Sequence, residues 1–396
     1  MNIAFFASSL LSAYWNGAAT YYRGIIKALH AHGHHITFYE PVAYDRPQHR
    51  DMEPPSWCDV VVYDGTEEAA WRQIEAAHGA DMIVKASGVG IFDELLESAV
   101  LTLKTPGNLV IFWDVDAPAT LDRIESDPAD AFHKCIPQYD FILTYGGGFP
   151  VVRAYESHGA KLCVPIYNAL DPDTHHPVPP NTKFAADLGL LANRLPDREK
   201  RVEQFFLEPA AKLPNKRFLF GGNGWSDKSM TPNVRYLGHV YTADHNALNC
   251  TCRSVLNICR ESMARYGFSP PTRVFEAAGA AACLITDAWE GVEQFFEPET
   301  EVLVAHNGDD VAQHVERLTS ERARQIGDAA YRRVLAEHTY AHRAKQVEEV
   351  LRGAHAPSRA GFGASPTLAF SAAPDSASSL GKGASPAREG ACAPQT

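Results

Sequence analysis

The sequence predicts an α/β protein built from two parallel, doubly wound sheets, followed by a disordered C-terminal tail. Three observations carry this. Short apolar runs alternate with helical patterns from Asn2 to Tyr145. A stretch rich in Pro, Asp and His, VPIYNALDPDTHHPVPPN, interrupts them from Val164. The alternation then restarts and runs to Leu351. Strands alternating with helices imply parallel sheets, and a restart beyond a linker implies two such domains. The boundaries read as a first domain over 1–167, a linker over 168–180, a second domain over 181–336, a closing helix over 337–353 and a tail over 354–396.

In the first half, Asn2–Ala7 is apolar, as a strand covered on both faces must be. The segment after it, SSLLSAYWNGAATYYRG, contains no GxGxxG phosphate fingerprint. It enters the helical pattern Ala18–Ala31, so Trp15, Asn16, Gly17 and Thr20 fall where a strand's loop meets a helix. Asn16, Gly17 and Thr20 suit a cleft wall. Trp15 suits stacking on a ligand ring and suits core packing equally. His35–Tyr39, Asp59–Tyr63, Met82–Lys85, Leu109–Trp113 and Phe141–Tyr145 read as the next strands. FWDVDAP, Phe112–Pro118, sets Asp114 and Asp116 in DxD spacing just past an apolar strand. Two such carboxylates can hold a divalent cation, or one can serve as base toward an acceptor hydroxyl; loop capping by aspartate fits the same residues. Gly146–Gly148 reads as a tight strand-to-helix turn.

In the second half, Leu188–Ala192, Arg217–Phe220, Val234–Leu237, Ser254–Ile258, Ala282–Thr286 and Glu301–Val304 are the strand candidates. Helical patterns follow over Val311–Leu318 and Ala323–Leu351. After the first of these strands, Asn193 and Arg194 form a crossing loop, and Arg198, Lys200 and Arg201 crowd the next helix start. Cations there oppose the helix dipole unless an anion lies nearby. Arg194 suits such an anion, whereas Lys200 and Arg201 read as a solvated face. GGNGW, Gly221–Trp225, follows the strand RFLF; Gly222 and Asn223 would let a planar base approach the backbone, and a tight turn explains them too. Arg260 sits where a parallel strand delivers side chains to a crevice, with a surface pair to Glu261 as the alternative.

RYGFSPPTRVFEAAGAAACLIT is the richest segment. Ser269 reads as an N-cap, with Pro270 and Pro271 in the first helical turn. Arg273 in that turn makes sense if a phosphate shares the helix start. Glu276 is seven residues after Ser269, nearly the same helix face. A carboxylate there suits the vicinal hydroxyls of a ribose. An ordinary amphipathic helix with a solvent-facing Glu276 fits the same spacing.

Composition narrows the classes. Lys+Arg is 36 and Asp+Glu 48, a net charge of -12, which argues against nonspecific nucleic-acid or anionic-membrane binding. No stretch approaches the roughly 20 apolar residues of a transmembrane helix, and the N-terminus lacks the basic start of a signal peptide. The 8 cysteines form no CxxC pair, and the histidine pairs His34–His35 and His175–His176 have no metal-like spacing to a third ligand. The expectation is a reduced, cytoplasmic protein with no metal site. Ala, Ser, Gly and Pro make up 29 of the 43 residues from Ala354, too little apolar surface to offset the entropy of ordering.

The run Ser254–Thr286, extended to Gly291, resembles the CgeB-like (spore maturation protein) glycosyltransferases. YGGGFPVVRAY, VPIYNALDP, GGNGW and VRYLGHVYTADHN match as well, so the resemblance covers the chain to about Ala354. It implies the GT-B architecture, two Rossmann-like domains facing a central cleft. The first would hold the acceptor and the second a nucleotide sugar, with the closing helix crossing back to the first domain. Glu276 maps onto the glutamate that holds the donor ribose. Phe268 stands where many retaining members carry a second acidic residue, which leaves the stereochemical outcome open. The expected activity is transfer of a sugar, hexosyltransferase-like, from a UDP-sugar or another nucleoside-diphosphate sugar to a glycan, protein or small-molecule acceptor. The nucleotide sugar is a co-substrate, and no other cofactor is expected. The DxD pair lies in the opposite half from the arginines. Transfer is therefore expected without metal, with Asp116 as base and Asp114 in reserve. The donor set is Asn193, Arg194, Gly222, Asn223, Arg260, Ser269, Arg273 and Glu276. Two alternatives use the same architecture: a nucleotide-sugar epimerase, and a non-catalytic nucleotide-sugar-binding or coat-associated protein.

Overall fold

The computed structural model describes residues 1–13, 17–88, 90–196 and 198–355. Trp15, Asn16 and almost the whole predicted tail lie outside them. Seven parallel strands form the first sheet: β1 (Asn2–Phe6), β2 (His35–Pro41), β3 (Asp59–Tyr63), β4 (Met82–Ala86), β5 (Leu109–Asp114), β6 (Ile142–Thr144) and β7 (Cys163–Pro165). Their order is β3-β2-β1-β4-β5-β6-β7. A six-stranded parallel sheet follows: β8 (Leu188–Leu191), β9 (Phe218–Gly221), β10 (Val234–Tyr236), β11 (Ser254–Asn257), β12 (Leu284–Asp287) and β13 (Leu303–Ala305), in the order β10-β9-β8-β11-β12-β13.

Both sheets reverse direction beside their first strand, between β1 and β4 and between β8 and β11. Open α/β sheets bind ligands at such switch points, outside the carboxyl ends of the strands. Helices cover both faces, which is why β4, β5, β8, β11 and β12 are almost wholly buried apolar runs.

β7 extends the first sheet into the segment that the sequence reads as irregular. Pro165 ends this edge strand, where a missing N–H costs no ladder bond. The helical pattern over Ala323–Leu351 is in fact two helices, Ser320–Glu337 and Tyr340–His355. The break forms because Leu170 inserts at Thr339: its N–H donates to the His338 carbonyl (2.8 Å) and its own carbonyl accepts from Tyr340 N–H (3.0 Å). Tyr340, Ala344, Val347 and Leu351 of the last helix belong to the core of the first domain. The ring of Tyr340 fills the space a Cβ on Gly24 would occupy. Arg343 donates to the carbonyls of Tyr167 (3.2 Å) and Asn168 (3.3 Å), fastening the start of the linker to the same helix.

His338, at the break, is surrounded by Phe275, Phe295 and Phe296, with Arg343 donating to its Nδ1 (3.0 Å). Burial, reinforced by Arg343, pushes its imidazole from 6.5 down to about 3. An unfolded chain takes up this proton near 6.5 and the folded one only near 3, so between those values the unfolded state binds more protons and stability falls as pH falls. The urea midpoint is therefore expected to drop between pH 7.5 and 5, and the drop to be smaller in His338→Phe. Equal drops in both proteins would remove His338 as the cause.

Candidate functional site

The carboxyl ends of β8 and β11 and the helix Thr272–Gly279 frame the second-domain crevice. The helix does not start as the sequence suggests. Pro271 holds the N-cap position in extended conformation, without a side-chain cap. Ser269 is buried, and its Oγ donates to the Gly267 carbonyl (2.8 Å). Pro270 also precedes the helix; its carbonyl accepts from Asn168 Nδ2 (3.1 Å). Ser269 thus shapes the loop and is not the cap. Its neighbour Phe268 has φ +43 and accepts from Gly147 N–H (2.8 Å), which joins the two domains. A side chain at Gly148 would strike Phe268, so glycine there is the condition for this close approach.

Arg273 and Glu276 lie three residues apart on this helix and so are surface neighbours. Among the described residues, no hydrogen bond or salt bridge engages the Arg273 guanidinium. Burial pushes it below its ordinary value, and Glu276 offsets part of that. A half-buried, unneutralised guanidinium in the first turn of a helix is a ready anion site.

Glu276 faces two histidines. Ligand atoms of His175, His245 and Glu276 lie within 4.8 Å of one another, with His175 Nε2 3.9 Å from Glu276 Oε1. Sequence spacing missed this group. His175 comes from the linker, His245 from the helix Thr242–Thr251 and Glu276 from a third element, so only the fold brings them together. The pattern of polar residues in VPIYNALDPDTHHPVPPN was the available signal, and it fits a plain linker as well.

Asn193, Gly222 and Asn223 are also brought together. Asn223 N–H donates to Asn193 Oδ1 (2.9 Å), and Asn223 Nδ2 approaches His239 Nδ1 (3.3 Å). Gly222, at φ +135, packs so tightly on Ala192 that any Cβ would overlap its carbonyl oxygen. Arg194 differs from the expectation of a free donor-binding cation. It pairs with Glu199 (2.6 Å) and Asp227 (2.8 Å), donates to the Gly224 carbonyl and lies over the Trp225 ring. Two carboxylates already neutralise it. Arg201 is likewise not on a solvated face: it donates to Asp287 (2.6 Å), a buried carboxylate at the end of β12. Burial raises the Asp287 carboxyl above its ordinary value, with Arg201 pulling the other way.

The two aspartates of the DxD segment have different fates. Asp114 is fully buried and accepts from Ser87 Oγ (2.6 Å), Asp116 N–H (2.9 Å), Thr120 Oγ (3.1 Å) and Tyr155 OH. It ties β5 to three neighbouring segments, and its complete burial keeps it from a substrate hydroxyl, so it is not a reserve base. Asp116 points the other way, at the start of the helix Ala117–Ser126, and meets Arg260 of the second domain (3.3 Å). The pair spans the two domains at the carboxyl ends of β5 and β11. Asp122 and Arg265 (2.9 Å) form a second bridge beside it.

In the first domain, Glu40 at the end of β2 accepts from Ser9 Oγ (2.7 Å) and from the N–H groups of Leu10 and Leu11, which fixes the loop after β1. Gly17 is exposed at the start of the helix Ala18–Ala31, with open space where a side chain would be, and Thr20 is partly exposed.

Residues 198–349 match the family model for glycosyl transferase-like domains. None of the curated proteins matches the chain in sequence. Among solved structures, sucrose-phosphate synthase from Thermosynechococcus elongatus is similar at TM-score 0.67 and 16% identity, over 89% of this chain and 98% of that one. HepE from Anabaena, in complex with UDP and glucose, is similar at TM-score 0.64 and 11% identity, over 89% of this chain and 100% of that one. An α-glucosyltransferase in complex with UDP and a 13-mer DNA is similar at TM-score 0.66 and 11% identity, over 89% and 99%. The two parallel sheets have the fold of the GT-B class, and most of the second domain carries the glycosyl transferase-like match. No helix among the described residues is long and apolar enough to cross a membrane.

Proposed function

We propose that the protein transfers a sugar from a UDP-sugar to an acceptor hydroxyl, as a CgeB-like member of this class working in the cytoplasm. The observation that carries the reading is the unneutralised Arg273 one turn from Glu276 at the switch point of the second sheet. The diphosphate binds at Arg273 and the start of its helix, and the ribose hydroxyls donate to Glu276. Asn193, Gly222 and Asn223 form the wall nearest the base. HepE and the α-glucosyltransferase, both solved with UDP, support uridine over other bases.

Arg260 couples donor to acceptor. Before donor binding it neutralises Asp116. A diphosphate offers it a stronger, doubly charged partner; turning toward it takes one cation away from Asp116, which accepts the acceptor hydroxyl proton as the new glycosidic bond forms. Positive charge from Arg260 and Arg273 stabilises the departing diphosphate, so transfer proceeds without a metal.

A thermal-shift panel of UDP-, GDP-, dTDP- and CMP-sugars tests the donor. A UDP-sugar at about 100 times its Kd is expected to add about 2.7 kcal/mol of stability; absence of a shift with every member would exclude the reading. Turnover is expected to survive exhaustive EDTA treatment, and activity that vanishes and returns with magnesium or manganese would contradict the metal-free mechanism.

A further inference from the structure

The protonation pattern around Glu276 leaves acceptors facing one another. The Thr174 hydroxyl donates its one proton to the Asp171 carbonyl (3.0 Å). With the hydroxyl proton on that carbonyl, the Thr174 oxygen accepts from His175 Nδ1–H (3.0 Å), the tautomer that places the His175 lone pair on Nε2. That atom is buried, has no hydrogen-bond partner and lies 3.9 Å from the Glu276 carboxylate, which cannot donate to it. His245 Nε2 lies 3.2 Å from the Val240 carbonyl. A carbonyl only accepts, so Nε2 carries the proton and Nδ1 the lone pair. In that tautomer two imidazole lone pairs and a carboxylate converge on one point. Each imidazole donates its other N–H to an oxygen, the arrangement that orients and strengthens histidine ligands of metals. The frame is tied from outside: Asn246, next to His245, donates to the Thr174 carbonyl (2.9 Å), and the His175 carbonyl packs on Gly279 of the Glu276 helix.

We propose that His175, His245 and Glu276 bind a divalent transition-metal ion of the zinc type. Two imidazoles and one carboxylate form a three-ligand N/O set that leaves a fourth position open. Ligands of one tetrahedral ion at about 2.0–2.1 Å stand closer together than these atoms do, and rotation of the partly exposed Glu276 side chain supplies the closure. The ion occupies the carboxylate that the donor ribose needs. Metal and nucleotide therefore exclude each other, and the site acts as a metal-sensitive brake on donor binding. The exclusion rests on the donor reading above; the metal site does not.

Co2+ is the probe, titrated into the metal-stripped full chain and followed by its visible d–d absorption. One saturating equivalent with a histidine-type spectrum, free of thiolate charge transfer, is expected. His175→Ala and His245→Gln should each weaken it by at least the roughly 10–100-fold that loss of even an orienting partner costs. Thr174→Val, which removes only the oxygen fixing the His175 tautomer, should weaken it in the same direction and guards against a misfolded ligand variant. No saturable site, or the same spectrum in all three variants, overturns the proposal. UDP titrated in the presence of saturating Co2+ should bind more weakly than in its absence. Unchanged UDP affinity overturns the brake. Failure of UDP to bind with or without Co2+ overturns the donor reading and leaves the metal site standing.

Discussion

Asp116→Asn is expected to lower turnover about 10²–10⁴-fold, the range that a positioned general base contributes, while nucleotide affinity stays nearly unchanged. Asparagine keeps the shape and loses the charge, and with it the basicity. The loss should fall on kcat, because the base acts in the transition state and not in donor binding. Arg260 sharpens the test. With Asp116 neutral, Arg260 loses one charged partner across the domains, so donor affinity should not fall. A variant with full turnover would return Asp116 to a loop-capping role. A variant with lost nucleotide affinity would place it in the donor site instead.

Asp114→Asn is expected to act on folding. Its carboxylate accepts from Ser87, Thr120, Tyr155 and the Asp116 backbone, all within the core. An amide offers one oxygen and turns an NH₂ toward groups that also donate. Losing charged hydrogen bonds and stranding buried donors costs about 3 kcal/mol or more, a fall in Tm on the order of 10 °C for a domain of this size. Urea unfolding of the first domain reads it directly. A midpoint equal to wild type, combined with lost turnover, would mean that Asp114 is catalytic after all.

The contrast between these two residues shows what the sequence makes legible. Both strand alternations and the linker announce themselves through local pattern, and the two parallel sheets follow from them. Arg273 and Glu276 are legible too, because their relation is set within one helix. Asp114 and Asp116 look equivalent in FWDVD, yet one faces Tyr155 and Ser87 in the core and the other faces Arg260 in the second domain. Nothing within the motif separates them, since the partners come from other elements. Arg194 is misread for the same reason: a cation in this crossing loop suggests an anion, and the anions prove to be Glu199 and Asp227 of the protein itself. His175 and His245 escape notice because only tertiary packing joins them. The break at His338 is invisible in a helical pattern that continues on both sides, being imposed by Leu170 from the linker.

Calorimetric titration of UDP into the wild type and two variants decides whether the second domain holds a nucleotide sugar at Arg273 and Glu276. One site per chain is expected. Glu276→Ala should weaken it by about 1–3 kcal/mol, the cost of stranding a hydrogen-bonding partner, and Arg273→Ala should weaken UDP more than uridine. UDP binding to both variants as tightly as to the wild type would contradict this placement.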